Sequence, residues 1–185
     1  MAVTGFVIAK QVDAAAPCGM LAACSPLANG TGSAGRNAVE GGTGGTSEVT
    51  SQIAAKSAQN FAGFEIEDSL GFVTPGDWTV RVDVTTAAAM NWSRVYVCVV
   101  NAACSSLATI GSNVSVGISL STTGIKTATV TCSQYILQPG EKIYIVCVAE
   151  NGTFGALSVG WTPNQNIDTT LIRGTARLRR LIEGY

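Results

Sequence analysis

The chain of 185 residues contains no histidine. That absence removes the Ser-His-Asp and Cys-His arrangements of nucleophilic catalysis, and any cysteine nucleophile would need another base. Charge is also scarce. Asp, Glu, Lys and Arg make up 12% of the residues, about half the usual share. The net charge of -1 gives no global field to attract nucleic acid or an anionic membrane. No apolar run approaches the ~20 residues needed to span a bilayer. The start, MAVTGFVIAKQVDAAAPCG, lacks the basic residues and long apolar run of a secretory signal. The chain therefore reads as one made and folded in a reducing cytosol.

What remains is 46% hydrophobic, much of it Ala and Val, with abundant Gly, Ser and Thr. This is not the composition of a disordered chain, which combines high charge with few apolar residues. The length suits one domain, and at this size roughly 70% of the unfolded chain's surface can be buried. Low surface charge also suggests that part of the surface is covered by other subunits.

The clearest pattern is Gly76 to Thr86, GDWTVRVDVTT. Trp78, Val80, Val82 and Val84 alternate with Thr79, Arg81 and Asp83, which predicts a strand with one buried face. Similar runs fall at Thr4–Ala9, Phe61–Glu67, Trp92–Val100, Val114–Leu120, Lys126–Cys132, Glu141–Val148 and Ala156–Thr162, separated by Gly, Asn or Pro. Such spacing is the signature of a sandwich or barrel. Two runs, RVYVCV from Arg94 and KIYIVC from Lys142, are apolar at consecutive positions. They are expected to be central strands covered on both faces. Thr74-Pro75-Gly76 and Gln138-Pro139-Gly140-Glu141 read as turns. The fold expected is all-β, an antiparallel β-sandwich of jelly-roll type, in residues 47–170.

Residues 1–46 read as a loop-rich extension or arm, with one helical turn possible in CGMLAAC (18–24) and a Gly-rich run at 40–46. Such a segment cannot bury enough apolar area by itself to offset its ordering entropy. It is either a flexible arm or a segment that orders against a neighbour. Residues 171–185 form a basic end carrying Arg173, Arg177, Arg179 and Arg180. Its apolar positions suit a strand or a short helix equally. It reads as a solvated final element or as a docking tail for an acidic partner surface, and these arginines are the candidate partner-binding residues.

Groups that carry chemistry are few. Of the six cysteines, Cys18 with Cys24 and Cys98 with Cys104 share the spacing C-x5-C. That is not the C-x2-C of common zinc sites, and no histidine completes one. Buried thiols are expected, Cys98 and Cys147 lying inside strand runs. A local disulfide in the N-terminal region becomes plausible only in an oxidising medium. Glu65, Glu67 and Asp68 cluster, but Glu65 and Glu67 share one strand face and read as an outward polar row beside Phe64 and Ile66. GGTGGT (41–46) lacks the Gly-Lys-Ser/Thr ending of a phosphate loop. Asn-x-Ser/Thr matches at Asn29, Asn91, Asn113 and Asn151 carry no weight in a chain so rich in Ser and Thr. Trp78 shares a face with three valines and is expected in the core; Trp92 and Trp161 are open candidates for a sugar-stacking platform.

The succession WTVRVDVTT (78–86), RVYVCVVN (94–101), GISLSTTGIKT (117–127), EKIYIVCVAEN (141–151) and WTPNQNID (161–168) resembles structural proteins of tailed bacteriophages. The resemblance covers roughly Ser47 to Asp168. It implies a β-sandwich or jelly-roll virion component, a capsid decoration or cement protein with no catalytic residues and no cofactor. It further implies the major capsid protein as partner, a homo-oligomer such as a trimer, and assembly in the host cytoplasm. The alternative on the same fold is a glycan- or receptor-binding module of a fibre or tail. A small β-sandwich enzyme has no residue set to support it.

Overall fold

The computed structural model of the chain describes residues 4–8, 25–32, 35–40, 48–66, 71–151, 155–160, 166–169 and 171–173. Every regular element among them is a strand. In chain order these are β1 (Thr4–Ile8), β2 (Gly35–Glu40), β3 (Glu48–Ile53), β4 (Ala58–Ile66), β5 (Gly71–Val73), β6 (Gly76–Thr86), β7 (Met90–Val100) and β8 (Ser106–Asn113). There follow β9 (Ile118–Ser119), β10 (Gly124–Cys132), β11 (Tyr135–Ile136), β12 (Lys142–Asn151), β13 (Gly155–Gly160), β14 (Asn166–Thr169) and β15 (Leu171–Arg173).

Twelve strands form one sheet that is nearly closed into a barrel. From β10 the pairings pass through β8, β7, β12, β4, β2, β1 and β14 to β6, and β6 pairs β10 again. All these ladders are antiparallel except the one between β2 and β4. The junction of β8 with β10 is a single residue pair, Gly111 with Cys132. A Cβ at Gly111 would stand 2.6 Å from the Cys132 sulfur and 2.9 Å from the Thr131 carbonyl. Only glycine lets the two strands meet there. β13 and β3 extend the sheet beyond β6, and β11, β5 and β15 make a separate three-stranded sheet.

Alternation explains β6. Trp78, Val80, Val82 and Val84 are fully buried, and the residues between them are partly exposed. Strand β10 lies against it over nine residue pairs, Gly124 with Val84 through Cys132 with Gly76, and buries Ala128, Val130 and Cys132 on the same side. Facing them across the core are Val95, Val97 and Val99 of β7 and Ile143, Ile145 and Cys147 of β12. Each fully buried aliphatic side chain contributes about 1.5–3 kcal/mol.

The β7–β12 wall is covered on both faces, as its unbroken apolar runs require. On the side away from the core, Tyr96, Cys98 and Val100 pack with Tyr144, Val146 and Val148 in a second cluster. Leu27, Ala58 and Cys104 pack against it.

Two bulges flank β12. Phe61 is the extra residue opposite Cys147 and Val148, and Ser93 the extra residue opposite Val148 and Ala149. Each leaves a carbonyl outside the ladder. The Ser51 hydroxyl donates to the Phe61 carbonyl at 2.9 Å, and the Val116 amide donates to the Ser93 carbonyl at 3.0 Å. Between the bulges the Phe61 and Trp92 rings meet edge to face at 6.0 Å.

The sequence expectations meet this fold unevenly. Residues 1–46 supply β1 and β2 to the main sheet. Residues 28–31 are pinned to it as well: Gly30 donates to the Asn60 carbonyl at 2.8 Å, and Thr31 and Gln52 exchange backbone hydrogen bonds. The helical turn expected at 18–24 lies outside the described residues. The strand expected over Val114–Leu120 is corrected: only Ile118–Ser119 pairs, and the strand is Ser106–Asn113 instead. The Ser115 amide bonds the Asn113 side chain at 2.9 Å, a local turn that ends β8 and leaves Val114 61% exposed.

Candidate functional site: a polar cleft beside a bulge

The basic end is described only in part. Arg173 closes β15, where its backbone registers with Gly71. Arg177, Arg179 and Arg180 lie outside the described residues, as do Glu67, Asp68 and Trp161. Trp78 and Trp92 are both fully buried. The indole N–H of Trp92 donates to the Arg94 carbonyl at 3.0 Å, so this ring is core and offers no face to a sugar.

Glu65 is not an outward residue. It registers opposite Tyr144, on the covered back of the β7–β12 wall, and is 1% exposed. Lys142, 28% exposed, pairs with its Oε1. Its Oε2 has no hydrogen-bond partner among the described residues. The alternation was legible; what covered the other face was not.

The cysteines divide. Cys132 and Cys147 are buried free thiols, as expected of small hydrophobes. Burial, with the nearby Asp77 charge second, pushes the Cys132 thiol up to about 12. Burial alone drives Cys147 far above the ordinary thiol range. Neither ionises at neutral pH, so neither is a nucleophile. The thiol expectation is corrected for Cys98 and Cys104, which are both disulfide-bonded. They share the second apolar cluster, and the turn from Asn101 to Ser105 brings Cys104 back onto it through the Cys104 amide to the Asn101 carbonyl, 2.9 Å. No group of three His, Cys, Asp or Glu side chains among the described residues is placed to hold a metal. No helix among them is long and apolar enough to cross a membrane.

The other expected turn is present. Glu141 donates its amide to the Gln138 carbonyl at 3.0 Å, with Gly140 at φ 85°. The Glu141 carboxylate accepts from the Gln138 amide at 2.8 Å and from the Tyr135 hydroxyl at 3.3 Å. Desolvation, then the Glu141 charge and this hydrogen bond, raise the Tyr135 pKa.

One concave feature was not foreseen. A cleft of about 640 Å³ is lined by Lys56, Asn91, Ser93, Val114, Ser115, Gly117 and Glu150. Four segments build it. Asn91 and Glu150 are paired residues of β7 and β12, so their side chains stand together on the outer side. Ser93 is the bulge residue, and its carbonyl anchors the loop that carries Ser115 and Gly117. Lys56 sits in the β3–β4 turn at φ 54°, a left-handed conformation that is strained for a side chain with a Cβ. The turn is held by the Ala54 amide to Gln59 Oε1 and the Ser57 hydroxyl to the Ala54 carbonyl, both 2.8 Å. No sequence motif links these segments; the β4–β12 and β7–β12 registers and the bulge bring them together.

A second surface faces solvent on the other wall. On the backs of β6 and β10, Asp77, Thr79, Arg81 and Asp83 stand opposite Thr131, Thr129, Thr127 and Ile125. Thr131 donates to Asp77 at 2.6 Å, and Ile125 is 44% exposed.

No family model matches the chain. No curated protein matches it either. Among solved structures, a CocE/NonD family hydrolase from Staphylococcus aureus is similar at a TM-score of 0.46 and 8% identity, over 80% of this chain and 36% of the hydrolase. A second structure of such a hydrolase from the same organism gives 0.45 and 8%, over 72% and 34%. The chain thus spans about a third of the length of these structures.

Proposed function

We propose that this chain is a non-enzymatic structural protein of a tailed-phage virion, seated on the capsid surface as a decoration or cement protein. On this reading the nearly closed sheet is a jelly-roll-like sandwich. Its layers are the β6–β10 wall and the β7–β12 wall, and the core between them makes a rigid body. The observation that carries the reading is the solvent-facing back of β6 and β10. Small threonines, two acids, one arginine and an exposed isoleucine make a surface that a broad partner can approach closely. The resemblance of the strand succession to phage structural proteins supports it. The disulfide-bonded cysteines suit a particle that meets an oxidising medium after release. The major capsid protein is the partner, the body a homo-oligomer such as a trimer, and Arg173, Arg177, Arg179 and Arg180 the anchors on an acidic surface.

Imaging of undecorated heads mixed with the purified protein tests this. Ordered density at fixed lattice sites is expected, weakened by Thr127→Asp with Thr129→Asp on the back of β10. Heads that remain bare at every lattice site overturn the reading.

A further inference from the structure

We propose that the cleft between the β3–β4 turn and the β7 bulge is a binding site for a neutral saccharide. This inference is independent of the capsid reading, and it uses none of the tryptophans. Its volume of about 640 Å³ falls inside the ~300–1,000 Å³ range of small-ligand sites.

The lining sets the chemistry. Lys56 gives an ammonium donor, Glu150 a carboxylate acceptor, Asn91 an amide that does both, and Ser93 and Ser115 hydroxyls. Lys56 and Glu150 share the cleft, yet among the described residues neither side chain forms an ion pair or hydrogen bond. Their charges cancel, so the site has no net attraction for an anion or a cation. Separated donors and acceptors at fixed positions suit a ligand carrying several hydroxyls, each of which both donates and accepts. Val114, 61% exposed at the rim, offers the apolar surface on which the C–H face of a sugar ring rests. The framework is rigid where it must be. The cross-strand pair fixes Asn91 beside Glu150, the bulge carbonyl ties down the loop, and the local turn at Asn113 orients Ser115. Such preorganisation lowers the entropic cost of binding.

The test is titration of the full-length protein with neutral oligosaccharides of glucose, galactose and N-acetylglucosamine, alongside sialyllactose and a cationic chitosan oligomer. At least one neutral oligosaccharide is expected to bind with millimolar or better affinity. Glu150→Gln and Lys56→Gly are each expected to weaken it about tenfold or more, the loss of a hydrogen bond to a charged group. Lys56→Gly relieves the left-handed backbone, so its melting temperature should not fall, which separates lost binding from lost folding. Overturning results are no neutral oligosaccharide bound at millimolar concentration, binding unchanged in both variants, or binding confined to the charged ligands.

Discussion

The two walls that face each other across the core are alike inside and opposite outside. The inner faces of β6 with β10 and of β7 with β12 bury apolar side chains along most of their length, Lys126 beside Val82 marking the end of that face on β10. The back of β6–β10 carries threonines and charges in contact with solvent, whereas the back of β7–β12 is buried under a second apolar cluster with a buried carboxylate at its edge. A strand's pattern therefore reports on both its neighbours in depth. Period-two alternation marks a wall with one covered face, and an unbroken apolar run marks a wall with two. The pattern does not say what provides the second cover.

The sharpest way to break this comparison is to place the same charge on both backs. Val146→Asp buries an unpaired carboxylate, and we expect a loss above about 4 kcal/mol, enough to unfold a marginal domain. Thr127→Asp stands opposite Arg81 on the open wall and should stay within about 0.5 kcal/mol of wild type. Denaturant midpoints measure both. Comparable losses would show that the two backs are equally covered.

Among the described residues, the disulfide-bonded Cys98 and Cys104 lie on the covered back. Reduction, or Cys98→Ser with Cys104→Ser, should lower stability by about 2–5 kcal/mol. Melting with and without reductant checks this. The back of β6 and β10 carries no cysteine side chain, so a fluorescent probe attached at Thr129→Cys should respond less to reductant than the melting temperature does.

Next in size is the Glu65–Lys142 pair. Lys142→Met strands the buried carboxylate and should cost about 3 kcal/mol. Glu65→Leu costs less, because the Lys142 ammonium already reaches solvent. The double variant is expected near wild type, giving a large coupling in a double-mutant cycle. Additive losses would mean that the pair does not hold this edge.

These cases also show what was legible in the sequence. Trp78 to Val84 and the runs from Arg94 and Lys142 announced their faces through spacing alone. Ser106–Asn113 did not, because SLATIGSN mixes polar and apolar residues without strict alternation and pairs through its backbone beside β7. Val114–Leu120 misled because its alternation is real while its hydrogen bonds go to the Ser93 bulge and to Met90. Glu65 misled for another reason: its alternation is right, but the cover over the β7–β12 back includes Leu27, a residue far away in sequence. The cleft was invisible because Lys56, Asn91, Ser115 and Glu150 belong to four segments joined only by register.

The smallest effect concerns the inner faces, where the walls should behave alike. Cys132 comes from β10 and Cys147 from β12, and both point into the one core. Burial raises both above the ordinary thiol value of 9.0. The folded protein therefore holds two protons that the unfolded chain releases once pH passes that value. Their stabilising contribution is complete below about pH 9 and is lost as pH rises towards the raised native values, by up to about 1.4 kcal/mol per pH unit for each thiol. Cys147→Ala and Cys132→Ala should each flatten the alkaline decline, despite a modest cavity cost at neutral pH. Urea midpoints from about pH 8 to about pH 10.5 distinguish the outcomes. Flattening by one variant and not the other would mean that the two walls do not share a single dry interior.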